Sequence, residues 1–259
     1  MAIGLSNALL NYVNQQGSLK HALTGGRLYV YSGSKPATPQ VAPSGTLLCT
    51  YTAASGTPTA EVLATGSVTL ATGASGSVDT ITVDSVDLIF APVPFNTSLA
   101  QTALDVITAI NNNSTSPKYI ASSGGSGIVT LTASRGAGVE ANGLVVAATG
   151  TTITFTTANM SGGVNPVNGL SYGVSSAGTL SKQSSQVWSG TAVASGTAGW
   201  GRLVGGPADS LTTDSTDSQV RLDFTIGTSG ADLVLSPSTS MASGSTQTIT
   251  NFSLTLPSA

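Results

Sequence analysis

Apolar and polar positions alternate in many short stretches of this chain, and only a few stretches carry the longer period of a helix. Gln219–Ile226 alternates most clearly. Val220, Leu222, Phe224 and Ile226 point one way, and Arg221, Asp223 and Thr225 the other. Arg27–Tyr31 sets Leu28 and Val30 against Tyr29 and Tyr31 in a run of β-favouring residues. Asp232–Leu235 and Phe252–Leu256 alternate in the same way. Strands about 8–12 residues apart with Gly/Ser turns between them predict an antiparallel β-sandwich of jelly-roll type.

Residues 3–16 read as a short N-terminal amphipathic helix. Leu5, Leu9, Tyr12 and Val13 fall at i, i+4, i+7 and i+8, and Gly17 is placed to stop it. Ser18 is placed to cap a second short helix through Leu23. The apolar stripe either covers an end of its own domain or docks on a neighbouring subunit, and those four residues are the candidate subunit contacts.

The texture changes near residue 62. Short strands, the Asp84-Ser85 turn and one helix follow each other closely up to Asn165. Ser98 and Gln101 form an S-x-x-Q capping box, expected to satisfy both backbone ends reciprocally. Leu99, Ala103, Val106, Ile107 and Ile110 make the helix's apolar stripe. This predicts a small α+β domain at 63–165, inserted into a discontinuous β-sandwich base made of 1–62 and 166–259. Three tandem domains would require Met1–Thr59 to fold alone on few strands.

Composition narrows the function. Only 7% of the 259 residues are charged and 40% are hydrophobic, with a net charge of -3. A core is affordable, and solubility rests on hydroxyls and amides. Eight Lys and Arg are too few and too scattered for a nucleic-acid footprint. No apolar run suits a membrane helix and no basic leader suits a secretory signal, so neither nucleic acid nor membrane is an expected partner.

Catalytic equipment is sparse. His21 is the only histidine and Cys49 the only cysteine. They cannot supply the ligands of a zinc site, nor the base and nucleophile of a hydrolytic triad. Asp209, Asp214 and Asp217 do not follow a calcium-loop spacing. The Gly-rich segments match neither a P-loop nor a dinucleotide fingerprint. No catalytic residue, cofactor or metal is expected, and the chain reads as no enzyme. Trp188 and Trp200, with Arg202 beside the latter, are candidate exposed aromatics for a glycan or a partner. The alternative places one or both rings under loops.

A resemblance adds to this reading. Tyr31-Ser32-Gly33, Pro36-Ala37 and Gly45-Thr46-Leu47-Leu48 are similar to marks in virion proteins of tailed bacteriophages. The stretches GWGRL and DSQVRLDFTIGTSGADLVL also resemble that group. The inserted segment resembles a module of phage tail-sheath and other surface-exposed virion proteins. It does so through DTITVDSVDLIF, TALDVITAIN, IVTLTAS, the G-x-x-x-N-G turn at Gly138–Gly143 and the closing Ser161-Gly162-Gly163. What the resemblance implies is a non-enzymatic structural protein of the virion, made in the host cytoplasm. A capsid decoration or minor capsid protein is the first expectation, with a projecting insert. A homo-oligomer, with a trimer favoured, would contact the major capsid protein. A tail, neck or baseplate component is the alternative, as is an adhesin that binds host-surface glycans.

Overall fold

A computed structural model describes residues 3–176, 178–206, 209–235 and 238–255. In chain order they form β1 (Gly4–Leu5), α1 (Asn7–Gln15), α2 (Leu19–Leu23), β2 (Arg27–Ser32) and β3 (Leu47–Ala53). Then come β4 (Thr65–Thr72), β5 (Ser77–Val83), β6 (Val86–Asp87), β7 (Val93–Pro94), α3 (Leu99–Asn112), β8 (Tyr119–Gly125), β9 (Ile128–Ala133), β10 (Val146–Thr151) and β11 (Thr154–Ser161). The last group is β12 (Thr179–Ser181), β13 (Trp188–Thr191), β14 (Gly196–Val204), β15 (Arg221–Gly227), β16 (Leu233–Val234), β17 (Ser240–Met241), β18 (Thr246–Ile249) and β19 (Ser253–Thr255). The protein is mainly β, and its strand pairs are antiparallel except β15 with β16. Leu256, expected to end the last strand, lies outside the described residues. Among the described residues no helix is long and apolar enough to cross a membrane.

Contacts divide the chain into two compact units. One joins the chain up to Asn14, Ser18–Glu61 and the chain from Pro166 onward. The other is Val62–Asn165 with Gln15–Gly17. The main sheet of the discontinuous unit has the strand order β1-β15-β14-β2-β3-β13-β18. Leu28, Val30, Leu48, Tyr51, Trp188, Leu222 and Phe224 line its core, with Leu9 and Leu23 from the helices. The opposite face of the same sheet is covered too, around Tyr29, Tyr31, Trp200 and Val204.

The N-terminus departs from the sequence reading. Gly4 and Leu5 are not helical. They pair with Asp223 and Leu222 of β15. Ser6 is the reason: its buried Oγ accepts the Leu9 N–H at 3.2 Å and the Arg221 N–H at 3.0 Å and donates to the Gln219 carbonyl. A side chain that caps the helix and ties it to β15 starts α1 at Asn7. Leu9 and Tyr12 lie buried in the core of their own chain and Leu5 packs against that core, so these three are not open contacts. Val13 is exposed. Ser18 does cap α2, accepting the His21 N–H at 3.2 Å.

In the second unit two sheets, β10-β5-β6 with β7 on β5 and β11-β4-β9-β8, enclose a core with α3. Val68, Leu70, Ile81, Val129 and Leu131 meet Ala103, Val106 and Ile110 of the helix. Only half of the capping box forms. Ser98 Oγ accepts the Gln101 N–H at 3.2 Å, but the Gln101 amide donates to Asp105 Oδ1 and the Ser98 N–H goes to Asn96 O. At the other end Lys118 Nζ donates to the carbonyls of Ile110, Asn111 and Asn113, adding to the Asn113 N–H that already reaches Ala109 O and Ile110 O. Burial lowers the pKa of this lysine.

Candidate functional site

Two buried ion pairs lie on the face of β14 and β15 that the loops cover. Alternation puts Trp200 and Arg202 of β14 on the same side as Arg221 and Asp223 of β15, and register sets Arg202 opposite Asp223. Arg202 Nε and Nη2 each donate to the Asp223 carboxylate at 2.7 Å, and Nη1 donates to the Val41 carbonyl at 3.1 Å. Arg221 Nε and Nη2 grip Asp209 at 2.6 Å. Its remaining N–H groups reach the carbonyls of Pro39, Gln40 and Thr212. The guanidinium offers five donors in a planar fork, and here all five are used. Both arginines and Asp223 are fully buried.

These pairs fasten two loops over the sheet. Residues 33–46, the Pro-rich stretch, supply the Pro39, Gln40 and Val41 carbonyls, and the segment before β15 supplies Asp209 and Thr212. The Asp214 N–H also donates to Gln40 O at 2.8 Å, joining the loops to each other. Under them Trp200 stacks on Tyr31 with centroids 4.6 Å apart and planes 14° apart. Its indole N–H donates to the Ser44 carbonyl, and Arg202 lies 5.5 Å from its ring centroid. Leu47 and Leu211 pack against the cluster.

The expectation of exposed aromatics is therefore corrected. Trp200, Arg202 and Trp188 are all 0% exposed. Trp188 sits in the other core, edge-on to Tyr172 and tilted against Phe252, with its N–H on Gln186 Oε1 at 2.7 Å. An indole in a β-strand covered on both faces has no route to a ligand. The structure brings Trp200 and Arg202 together and leaves Trp188 in a separate cluster.

Electrostatics here serve folding. Burial disfavours the Arg221 charge, but hydrogen bonding and charge from Asp209 more than offset it and hold the guanidinium pKa up. Desolvation pushes the Tyr31 phenol up to about 12, against the opposing effect of Arg202. Cys49 is buried in the core, and desolvation moves its thiol up to about 11, so it stays protonated near neutrality. Burial raises the Asp214 carboxyl, yet N–H bonds from Gln219 and Ser218 outweigh that and lower it overall. His21 is exposed on α2. Among the described residues no group of three or more His, Cys, Asp or Glu side chains could hold a metal ion. A cleft of about 550 Å³ beside β12, β16 and β19 includes Lys182 and Asp232. Their charged ends are already held by the Gln183 and Gln186 carbonyls and by Thr225.

The second unit offers a different surface. Register aligns Thr65, Thr132 and Ile120 across β4, β9 and β8, then Ser67, Thr130 and Ser122. Thr156 and Ala158 of β11 lie beside Thr69 and Ser67. The alternate residues Val68, Leu70, Val129 and Leu131 face the core, so this is the sheet's outer side. All of these outer residues are half-buried or exposed, and none is ionisable.

Sequence reasoning missed three polar devices. It noted Arg221 and Asp223 as one face of a strand without seeing them as a buried anchor. Charged residues alternating with a strongly apolar strand were the available signal. It missed the Asn111 carboxamide, which exchanges two 2.9 Å hydrogen bonds with the Ala121 backbone on the edge of β8. It also missed Asn142, whose carboxamide is paired with the Gly163 peptide at 2.7 and 2.8 Å. Compared with known protein families, curated proteins and solved structures, the chain matches none.

Proposed function

We propose that this chain is a non-enzymatic structural protein of a tailed-bacteriophage virion, seated on the head as a capsid decoration or minor capsid protein. The observation that carries this reading is the disposition of its charge. Of eight basic side chains, Lys118, Arg202 and Arg221 are buried and tie down main chain. The sheet face around Ser67 and Thr130 carries no charge at all. Surfaces of this kind can pack against neighbours without desolvating ions. The resemblance of the Tyr31–Leu48 and Asp79–Gly163 regions to phage virion proteins supplies the particle. In this reading the discontinuous unit is a jelly-roll-like β-sandwich that binds the major capsid protein. It is made in the host cytoplasm and assembles as a trimer at three-fold positions.

The test is antibody labelling of intact particles in electron microscopy, with light scattering on the purified chain. Label on heads and a trimeric mass support the proposal. Label confined to tails favours the tail, neck or baseplate alternative. Particles without the chain overturn the virion reading. The glycan-binding alternative drew on low charge and on exposed tryptophans, and both tryptophans are buried.

A further inference from the structure

The chain contains two Asn-Gly dipeptides, Asn142-Gly143 and Asn168-Gly169. Such pairs are chemically labile because glycine leaves the following backbone nitrogen unhindered. That nitrogen can attack the asparagine Cγ. The fold treats the two sites differently.

At Asn142 both reacting groups are held. The Gly143 N–H donates to Met160 O at 2.7 Å. The carboxamide is held by both its nitrogen and its oxygen on the Gly163 peptide. Three hydrogen bonds must open before the ring can close. Asn168, exposed as Asn142 is, has φ at 55°, a conformation that asparagine tolerates better than most residues. Its Nδ2 donates to Thr57 O at 3.0 Å, and that is the only bond its carboxamide makes among the described residues. The Gly169 N–H has no hydrogen-bond partner among them either, although Gly169 itself is buried against the Gly25 backbone.

We propose that Asn168 is a site of spontaneous deamidation in the folded protein and that Asn142 is a protected one. Gly169 N loses its proton to water and bonds to Asn168 Cγ. The Nδ2 group leaves with a proton as ammonia, which gives a succinimide. One water then opens the ring. Cleavage at Cγ leaves aspartate, and cleavage at the main-chain carbonyl leaves isoaspartate. No oxidant or reductant takes part. The product carries one new negative charge on a chain of net charge -3. It also loses the donor that Thr57 O accepts, in a loop where the Ala53 N–H reads the Asn168 carbonyl.

The experiment is incubation of the folded chain at mildly alkaline pH, followed by peptide mapping. Tryptic cleavage after Arg135 and Lys182 leaves both sites in one peptide, so fragmentation must localise the mass change. Asn168 should convert at least about tenfold faster than Asn142, the factor expected when two further net hydrogen bonds have to open. In urea the two rates should converge. The N168Q variant should lose the acidic species on ion exchange. Equal rates in the folded chain would overturn the proposal. So would an Asn168 that converts only in urea, or an acidic species that survives in N168Q.

Discussion

The Arg221 guanidinium and the Asp209 carboxylate, twelve residues apart in sequence, meet through two hydrogen bonds of 2.6 Å under the loops that cover β14 and β15. Their neighbours Arg202 and Asp223 repeat the arrangement directly across the strand pair. Each pair is sealed from solvent, so each partner depends on the other.

Removing one partner should therefore cost far more than removing both. Asp209→Ala leaves the Arg221 charge buried and unpaired, with an expected loss of about 3–5 kcal/mol. The double variant Asp209→Leu with Arg221→Met should recover much of that loss, since well-packed apolar substitutes are often neutral. Urea denaturation of the three proteins measures this. A double variant no better than the single would point to the carbonyl contacts of Arg221 as the main contribution.

Trp200 is a packing residue in this fold. Trp200→Ala should destabilise by about 3–5 kcal/mol through lost transfer energy and a residual cavity. Acrylamide should quench both tryptophans weakly in the native protein and strongly once it is unfolded. Efficient native quenching would contradict the burial of Trp188 and Trp200.

Stability should fall at both ends of the pH range. Asp214 titrates below its ordinary value when folded. Its contribution is thus complete above pH about 4 and is lost as pH falls through the lowered value. Asp214→Asn should flatten that acid limb. Tyr31 moves from 10.0 to about 12 and Cys49 from 9.0 to about 11. A raised value means folding favours the neutral form. These contributions are present below the ordinary values and are lost as pH rises through the folded ones. Tyr31→Phe should flatten the alkaline limb, and Cys49 should resist thiol reagents until the protein unfolds.

The half-formed capping box separates its two members. Ser98→Ala should cost about 1 kcal/mol through the lost cap on α3. Gln101→Ala should be close to neutral, because that side chain reaches Asp105 and not the Ser98 backbone. Thermal melts of the two variants distinguish them, and equal losses would restore the reciprocal box.

Local rules were legible without the fold. The period of residues 99–110 and the Ser98 cap defined α3, Ser18 announced α2, and strict alternation announced β15. These features depend on neighbours within a turn or along one strand, so a mainly β chain with few helices could be read directly. Alternation shows that a strand has two faces, but not how many of them are covered. Arg221 and Asp223 read as a polar side, and Arg202 as a companion of an exposed Trp200, because the covering carbonyls of Pro39, Gln40 and Val41 lie over 160 residues away from either arginine. Trp200 stayed ambiguous for the same reason, since Ser44 closes over it from 156 positions away. Ser6 began α1 later than its apolar stripe suggested because its partners, Gln219 and Arg221, come from the far end of the chain. The sequence by itself determined α2, α3 and strands such as β2 and β15, with their apolar faces. Only the tertiary structure decided which polar groups became interior, because the covering partners of a polar group are chosen by long-range packing.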